Sequence, residues 1–144
     1  MSVESGEGPM VLSDRRGHIT QKVRIGGVRT VYLSVDEEAA PHEVFLRIKG
    51  EGATAELVCL YDVVARLMSM ALQAGIPLAE IAARLQGTRC APAGPVAGDD
   101  RIKMCDGVMD YVGRHLLVWY GGREDLAHCP AEPTHNRQDP GVAF

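Results

Sequence analysis

The four cysteines carry the most reactive side chains in this sequence, and their spacing limits the chemistry open to them. They are Cys59, Cys90, Cys105 and Cys129. Successive gaps of 31, 15 and 24 residues match no zinc-binding pattern and include no C-x-x-C pair. In a reducing cytosol, free cysteines usually pack as small apolar residues. We therefore predict free cysteines that are mostly buried.

Cys59 is the candidate nucleophile among the four cysteines. Asp62 and Arg66 share its helical neighbourhood, and a nearby guanidinium can activate a thiol. Asp62 opposes that effect and no histidine lies close in the sequence, so a packed Cys59 is the favoured interpretation. Cys105 falls on the apolar face of a predicted helix and is expected to be buried too.

Asp106, Asp110 and Arg114 follow one another at intervals of four residues, which places them along one side of a helix. The simpler interpretation is an intrahelical Asp–Arg ion pair, worth about a few tenths of a kcal/mol. A ligand-binding or docking face is the functional alternative. The sequence favours the ion pair.

His128, Cys129 and His135 come closest to a metal-ligand set. Zinc needs three or four converging ligands with support behind them, and a Pro-rich segment supplies little of that, so no metal site is predicted. The sequence also lacks G-x-x-x-x-G-K-[ST], G-x-S-x-G and H-E-x-x-H motifs. From the residues alone, no catalytic residue is predicted.

Composition describes one ordinary globular domain. The chain has 144 residues, 46% of them hydrophobic and 24% charged, with a net charge of −4. Because no basic run or arginine-rich helix face is present, we expect no binding to nucleic acid. No apolar stretch is long enough to span a membrane, and the N-terminus lacks the features of a signal peptide. A cytoplasmic location is therefore expected.

Alternation of apolar and polar residues predicts three strands. Ile19, Val23 and Ile25 alternate with polar neighbours, and Gly26-Gly27 then supplies a two-residue hairpin turn. The return strand covers residues 28–35, and a third strand covers residues 43–49. Such a sheet has one apolar face that needs a cover of helices.

Helical spacing predicts that cover. Thr54 caps a central helix that runs to about residue 74 and is buried on more than one side. Pro77 opens a shorter helix that ends near residue 87. Residues 88–98 are predicted to be a loop, and Asp99 or Asp100 caps a last helix that reaches about Trp119.

The predicted fold class is α+β, with a three-stranded antiparallel sheet (the N-terminal hairpin plus a third strand) covered by three helices. Residues 1–14 are predicted to be a flexible lead-in, residues 15–121 the domain, and residues 122–144 a flexible Pro-rich tail.

Five segments in a fixed order resemble one known family. They are PHEVF (41–45), LMSMALQAGIPL (67–78), TRCAPAG (88–94), DRI (100–102) and VMDYVGRHL (108–116). Together they resemble the C-terminal, TSCPD-type domain of class II, adenosylcobalamin-dependent ribonucleotide reductases, over about residues 17–120. Two positions depart from that family: Gly107 stands where Ser is usual, and Cys90 stands where an aromatic residue is common.

The resemblance implies part of an enzyme without its catalytic machinery. The reductases carry out their radical chemistry in a large α/β barrel that holds cysteines and cobalamin, and a chain of 144 residues could not hold it. Their C-terminal cysteine pair is also missing, since this tail has only Cys129. Adenosylcobalamin is thus implied only through the resembled enzyme, and no cofactor site is assigned to this chain. The family-motif positions that could contact a ligand are Pro92, Gly94, Asp110, Tyr111 and Arg114.

Three functions follow as hypotheses. The chain could be a stand-alone accessory domain that docks on a separate reductase catalytic chain. It could bind a nucleotide or another small molecule through the Pro-Ala-Gly loop and the Asp106/Asp110/Arg114 face. It could also be a structural module that associates with itself as a homodimer.

Overall fold

Five antiparallel strands form a single sheet in the order β3-β2-β1-β4-β5. The structure is a computed structural model that describes residues 17–36 and 40–131. The strands are β1 (His18–Ile25), β2 (Arg29–Asp36), β3 (Val44–Gly50), β4 (Gly94–Ala97) and β5 (Met104–Cys105). The helices are α1 (Ala55–Gln73), α2 (Leu78–Leu85) and α3 (Val108–Tyr120), followed by a 3₁₀-helix at Glu124–Leu126. The predicted α+β class with three helices is confirmed, but the sheet has five strands rather than three.

The two additional strands lie where the sequence predicts a loop and the start of a helix. Strand β4 pairs with the end of β1, where Arg24 faces Ala97 and Ile25 faces Val96. The carbonyl of Pro95 accepts a hydrogen bond from the Gly26 amide at 2.9 Å, so the missing N–H of proline does not prevent the pairing. Such short strands carry too few residues for a period-2 pattern to emerge.

The hairpin between β1 and β2 is confirmed, but its turn has three residues rather than two. Ile25 pairs with Arg29, which leaves residues 26–28 in the turn. Gly26 and Gly27 have φ angles of 61° and 72°, a region that glycine enters without steric cost. The extra residue moves Val28 from the predicted strand into the turn.

Helix α1 begins and ends close to where the sequence predicts. The Thr54 hydroxyl accepts a hydrogen bond from the Leu57 amide at 3.2 Å, as expected for an N-cap. The prediction that this helix is buried on more than one side is wrong. Leu60, Leu67 and Met70 are 53%, 55% and 63% exposed, because α1 packs on one side only.

Ser69 explains how α1 is rotated. Helical spacing places the polar residues Asp62, Arg66, Ser69 and Gln73 on one stripe, which predicts exposure to solvent. Instead, Ser69 reaches the edge strand β3, and Gln73 reaches the segment just before it. The Ser69 hydroxyl lies 2.8 Å from the Val44 amide and 3.1 Å from the Val44 carbonyl, and Gln73 donates to the His42 carbonyl. Edge-strand backbone groups need partners when they are covered, so these polar side chains turn inward.

Helix α3 is the central helix, and it starts later than predicted. The Asp99 carboxylate accepts the amides of Arg101 and Ile102 at 2.9 and 3.2 Å, which forms a turn rather than a helix start. The helix begins after Gly107 and buries most of its side chains. Helix α2 packs closely on it, since a Cβ at Gly113 would lie 2.6 Å from the Ala82 carbonyl oxygen.

The segment after α3 packs against the domain through at least residue 129. The amides of His128 and Cys129 donate to the Arg101 carbonyl at 2.8 and 3.1 Å. Arg114 donates to the Leu126 carbonyl at 2.9 Å. The sequence places the domain boundary at residue 121, whereas these contacts extend beyond it. The predicted lead-in and residues 132–144 of the predicted tail lie outside the described residues.

Candidate functional site

The loop between α2 and β4 borders an open groove of about 430 Å³. Its lining residues are Arg89, Cys90, Ala91, Ala93 and Asp106. The Cys90 amide donates to the Asp106 carbonyl at 3.0 Å, which ties the loop to the turn before α3. Gly107 lies directly behind, since a Cβ there would be 2.5 Å from the Cys90 carbonyl oxygen. The two positions that depart from the resembled family are therefore in contact, and the small residue at 107 permits the close approach.

The groove offers one guanidinium, one carboxylate and one thiol. Arg89, Cys90 and Asp106 are all exposed. Partial burial, and secondarily the Cys90 thiol, raise the pKa of Tyr61 in α1 above its usual range. A cavity of this size and openness suits a small polar ligand. The lining residues include no histidine. The groove therefore lacks the imidazole base that commonly activates a cysteine nucleophile.

Pro92 and Gly94, two of the predicted family-motif positions, lie in the groove-bordering loop. This loop packs on the hairpin turn, where a Cβ at Gly26 would be 2.9 Å from the Ala93 carbonyl oxygen. Gly94 has a φ of 123°, a conformation that side-chain-bearing residues rarely adopt. Both positions shape the backbone of the loop, and a ligand-contacting role for them stays a prediction.

Asp110 is buried beside the groove-bordering loop, and its carboxylate binds backbone amides on both sides of that loop. It is fully buried, and its carboxylate accepts the Gly87 amide at 2.6 Å and the Asp106 amide at 2.8 Å. The Arg114 Nε atom lies 3.8 Å from the same carboxylate, so the expected intrahelical ion pair is present. Asp106 is instead exposed and lines the groove. Asp110 thus positions the loop, because one side chain holds residues on both sides of it.

Tyr111 belongs to a different cluster, built around Asp99. The Tyr111 hydroxyl, the His115 Nδ1 atom and the Trp119 Nε1 atom lie 2.7, 2.9 and 3.2 Å from Asp99 carboxylate oxygens. Burial alone would raise the pKa of Asp99, but hydrogen bonds from His115, the Arg101 amide and Tyr111 outweigh it and hold that pKa well below its usual range. Burial, and secondarily the Asp99 charge, raise the pKa of Tyr111 far above its usual range.

Sequence reasoning missed this cluster. Its visible signal was the spacing of four residues that aligns Tyr111, His115 and Trp119 on one side of α3. Their common partner, Asp99, lies twelve residues before Tyr111, and the sequence predicts a helix cap for it instead. Asp99, Tyr111 and His115 are all buried and none lines the groove, so the cluster acts as internal support.

The cysteines divide into two groups. Cys59 and Cys90 are exposed and free, so the prediction that they are buried is wrong. Cys59 lies on the outer side of α1, and Cys90 lies in the groove loop. Cys105 is buried as predicted, and burial raises the pKa of its thiol. Cys129 is half-buried.

For His128, Cys129 and His135 the sequence predicts no metal site, and the structure describes only the first two of these residues. Within residues 17–36 and 40–131 there is no group of three or more potential metal ligands. The Nδ1 atom of His128 accepts the Lys103 amide at 3.0 Å, and His135 lies outside the described residues. The described part of the chain also contains no helix long and apolar enough to cross a membrane.

Adenosylcobalamin does not fit the groove. Five residues line an open cavity of about 430 Å³, a volume near the lower end for drug-sized ligands. A corrinoid with its nucleotide and adenosyl groups is far larger than such ligands.

The fold and groove define a small α+β domain with helices on one face of an antiparallel sheet and a ligand-sized groove beside the loop before β4. The family model of the TSCPD domain matches residues 9–118. The chain therefore belongs to the TSCPD domain family, and the resemblance drawn from its motifs is confirmed.

Curated relatives carry one enzyme name. The chain is 40% identical over 130 residues to the vitamin B12-dependent ribonucleotide reductase of Bradyrhizobium diazoefficiens, covering 89% of the chain. It is 40% identical over 127 residues to that of Agrobacterium fabrum, covering 87% of the chain. In both cases the chain spans only 10% of the relative's length. No solved structure matches the chain.

Proposed function

We propose that this chain is an accessory domain of a vitamin B12-dependent ribonucleotide reductase, one that docks on a catalytic chain rather than catalysing the reaction alone. The similarity to these reductases supports the choice of partner, because it extends over 89% of the chain but 10% of the enzyme. The domain serves deoxyribonucleotide synthesis through that enzyme and shares its place in the cytoplasm.

The observation that carries docking is an apolar stripe on the outer side of α1. We define the α1 stripe as Leu60, Leu67 and Met70, which are each more than half exposed. Spacings of seven and three residues place them on one side of the helix. Contiguous exposed apolar groups on a soluble domain commonly mark a contact surface. The exposed Asp62–Arg66 ion pair, at 3.2 Å, lies along the same helix and would rim the contact.

The test measures binding of the full chain to a purified vitamin B12-dependent reductase from which the region similar to this domain has been removed. The combined substitution Leu60→Ser, Leu67→Ser and Met70→Ser should weaken binding by at least about tenfold, since apolar burial at the contact is lost. Phe45→Ser is the matched control, because Phe45 is 42% exposed on the other side of the sheet. Docking through α1 would be refuted by absence of binding or by equal loss in the control.

Self-association is an alternative outcome for the same stripe. Light scattering would reveal a homodimer of the native chain, and the triple serine variant would then be a monomer. If the stripe variant lost self-association while reductase binding stayed absent, the structural-module hypothesis would replace the accessory-domain hypothesis.

Nucleotide or small-molecule binding is the second candidate, and the groove beside Arg89 favours it. Arg89 is the cation available there for a phosphate, and Asp106 and Cys90 lie beside it. Calorimetric titration with nucleoside di- and triphosphates, and separately with cobalamin, tests this function. Arg89→Gln should abolish nucleotide binding, whereas Arg84→Gln, on the exposed side of α2, should leave it unchanged. Flat traces at millimolar ligand would remove this candidate.

A further inference from the structure

The face of the sheet that the helices leave uncovered gathers four cations around one tyrosine. We call this the basic sheet face and define it as Lys22, Arg24, Arg47, Lys49 and Tyr32. Strand register brings the five together from three strands. Lys22 pairs with Tyr32, and Tyr32 pairs with Arg47. In the adjacent row, Thr30 lies between Arg24 and Lys49.

Alternate burial identifies this face as the open one. In β1, Val23 and Ile25 are buried while Lys22 and Arg24 are exposed. In β3, Leu46 and Ile48 are buried while Arg47 and Lys49 are exposed. Successive side chains of a strand point to opposite faces, so the four cations share the face opposite the helices.

The positive charge of this face has no ion-pair partner among the described residues, and Arg24 donates only to the backbone carbonyl of Gly27, at 3.0 and 2.7 Å. Within residues 17–36 and 40–131, none of the four cations forms an ion pair with a carboxylate. Three strands and two rows confine them to a patch of about 10 by 7 Å. Since the whole chain has a net charge of −4, the basic sheet face is a local concentration of positive charge on an acidic protein.

Tyr32 adds a flat ring at the centre of this charge. The ammonium groups of Lys22 and Lys49 lie 5.8 and 5.7 Å from the centre of its ring. Phe45, 42% exposed, lies diagonally from Tyr32 on the same face, since it pairs with Ser34. Tyr32 is half-buried, so part of its ring is accessible. Cations beside accessible aromatic rings are the combination that binds phosphates and stacked bases together.

The flatness of the face selects a polymer over a single nucleotide. Small ligands bind in concave sites that enclose most of their surface, whereas this face is an open strand surface. A single-stranded nucleic acid gains from several phosphate contacts at once, and its unpaired bases are free to stack on Tyr32 and Phe45. A duplex keeps its bases within the stack, so a flat sheet face cannot reach their rings.

Although the absence of a basic run in the sequence predicts no binding to nucleic acid, strand register assembles a basic patch that a linear scan does not detect. We infer that the basic sheet face binds single-stranded nucleic acid, with Lys22, Arg24, Arg47 and Lys49 contacting phosphates and Tyr32 stacking on a base. A base that stacks on Tyr32 takes the place of one lysine ammonium, which then contacts the adjacent phosphate. This surface lies on the opposite side of the sheet from the α1 stripe, so the inference goes beyond the proposed docking and does not depend on it.

The experiment is fluorescence anisotropy of the full chain with labelled oligothymidylate and oligouridylate of about 20 nucleotides. Titrations run from about 25 to 200 mM salt. Four phosphate contacts predict that the logarithm of the binding constant falls against the logarithm of salt with a slope of about −2.8 for a single strand. The two oligomers distinguish DNA from RNA as the source of the ligand.

Matched variants distinguish the contribution of the basic sheet face to binding from the effect of overall charge. Lys22→Gln with Lys49→Gln should weaken binding at least about fivefold and bring the slope to about −1.4. Arg66→Gln with Arg84→Gln removes the same charge from exposed helix positions and should change binding less than twofold. Tyr32→Val, which keeps a strand-forming residue, should weaken oligomer binding about tenfold and leave binding of inorganic polyphosphate unchanged. Circular dichroism checks that each variant is folded.

Three results would overturn the inference. The first is absence of oligomer binding at low salt. The second is equal loss in the helix control pair. The third is binding of polyphosphate as strong as that of the oligomers with no effect of Tyr32→Val, because the face would then respond to charge alone.

Discussion

Asp99 shows how one carboxylate can organise the junction before α3. It is fully buried and is hydrogen-bonded to two backbone amides, Tyr111, His115 and Trp119. A buried charge is tolerated when its lone pairs are satisfied in this way. Removing that charge leaves several buried donors without a full partner.

Asp99→Asn should therefore lower the free energy of unfolding by about 3 kcal/mol at neutral pH. Because the folded-state pKa of Asp99 is depressed, its contribution is fully present above the unfolded-state pKa of about 3.9. It declines as the pH falls below that value and is lost as the pH passes the folded-state pKa. Urea unfolding at a series of pH values measures the difference in the free energy of unfolding between the native chain and the variant. That difference should be constant from about pH 7 to pH 5 and shrink below about pH 4.

The control for this prediction is Asp106→Asn, since the Asp106 side chain is exposed and its change should cost less than about 0.5 kcal/mol. An Asp99 variant as stable as the Asp106 variant would show that the hydrogen-bond cluster contributes nothing net.

Thiol exposure gives a second prediction at the residue scale. Under native conditions, iodoacetamide should alkylate Cys59 and Cys90, whereas Cys105 should react only after unfolding. Cys105 is buried, and the pKa of its thiol is raised. Because the thiolate is the reacting species, both properties slow its alkylation. Mass spectrometry of digested protein locates the label. Native labelling of Cys105 at the rate of Cys59 would contradict the packing of β5 against α3.

At the scale of elements, the contact between α2 and α3 depends on Gly113. A Cβ at this position would lie 2.5 Å from the Gln86 amide nitrogen and 2.6 Å from the Ala82 carbonyl oxygen. Both are backbone atoms, which cannot rotate away as a flexible side chain would. The two helices can therefore approach this closely only because position 113 lacks a side chain.

Gly113→Ala should consequently destabilise the domain by about 1–3 kcal/mol through overpacking, although the same change in an exposed helix would stabilise it by about 1 kcal/mol. Thermal and urea unfolding measure whether the substitution raises or lowers the free energy of unfolding. Ala83→Gly, at an exposed position of α2, is the control and should cost about 1 kcal/mol from helix propensity alone. A Gly113→Ala variant more stable than the native chain would show that the helices lie further apart.

At the scale of the whole molecule, the segment after α3 completes the domain. Arg101 is 5% exposed, contacts Glu124 and donates to the Cys129 carbonyl. Arg114 donates to the Leu126 carbonyl. The buried Arg101 and the half-buried Arg114 thus obtain acceptors from a segment that the sequence assigns to a flexible tail.

A chain truncated after residue 121 should thus be less stable than one truncated after residue 131 by about 3 kcal/mol, because buried cations lose their partners. Urea unfolding of the two truncated chains, beside the full chain, provides the comparison. Equal stability of the two truncated chains would mean that residues 122–131 contribute no net stabilisation.

The sequence by itself determined the features that depend on local order. Period-2 alternation and paired glycines predicted the β1–β2 hairpin, and a Thr cap with helical spacing predicted both ends of α1 to within a residue or so. A spacing of four predicted the Asp110–Arg114 pair. The order of short motifs identified the TSCPD family. Each of these signals lies within one element or in the order of elements, so no tertiary contact was needed to detect it.

Tertiary structure alone decided which surfaces meet. Strand pairing made strands of residues 94–97 and 104–105, the β3 edge turned Ser69 inward, and the same rotation left the α1 stripe exposed. Strand register also gathered Lys22, Arg47 and Lys49 from separate strands, although no basic run exists in the sequence. Hydrogen bonds between distant residues fix these relations, and a local periodicity cannot carry information about the partner across the fold.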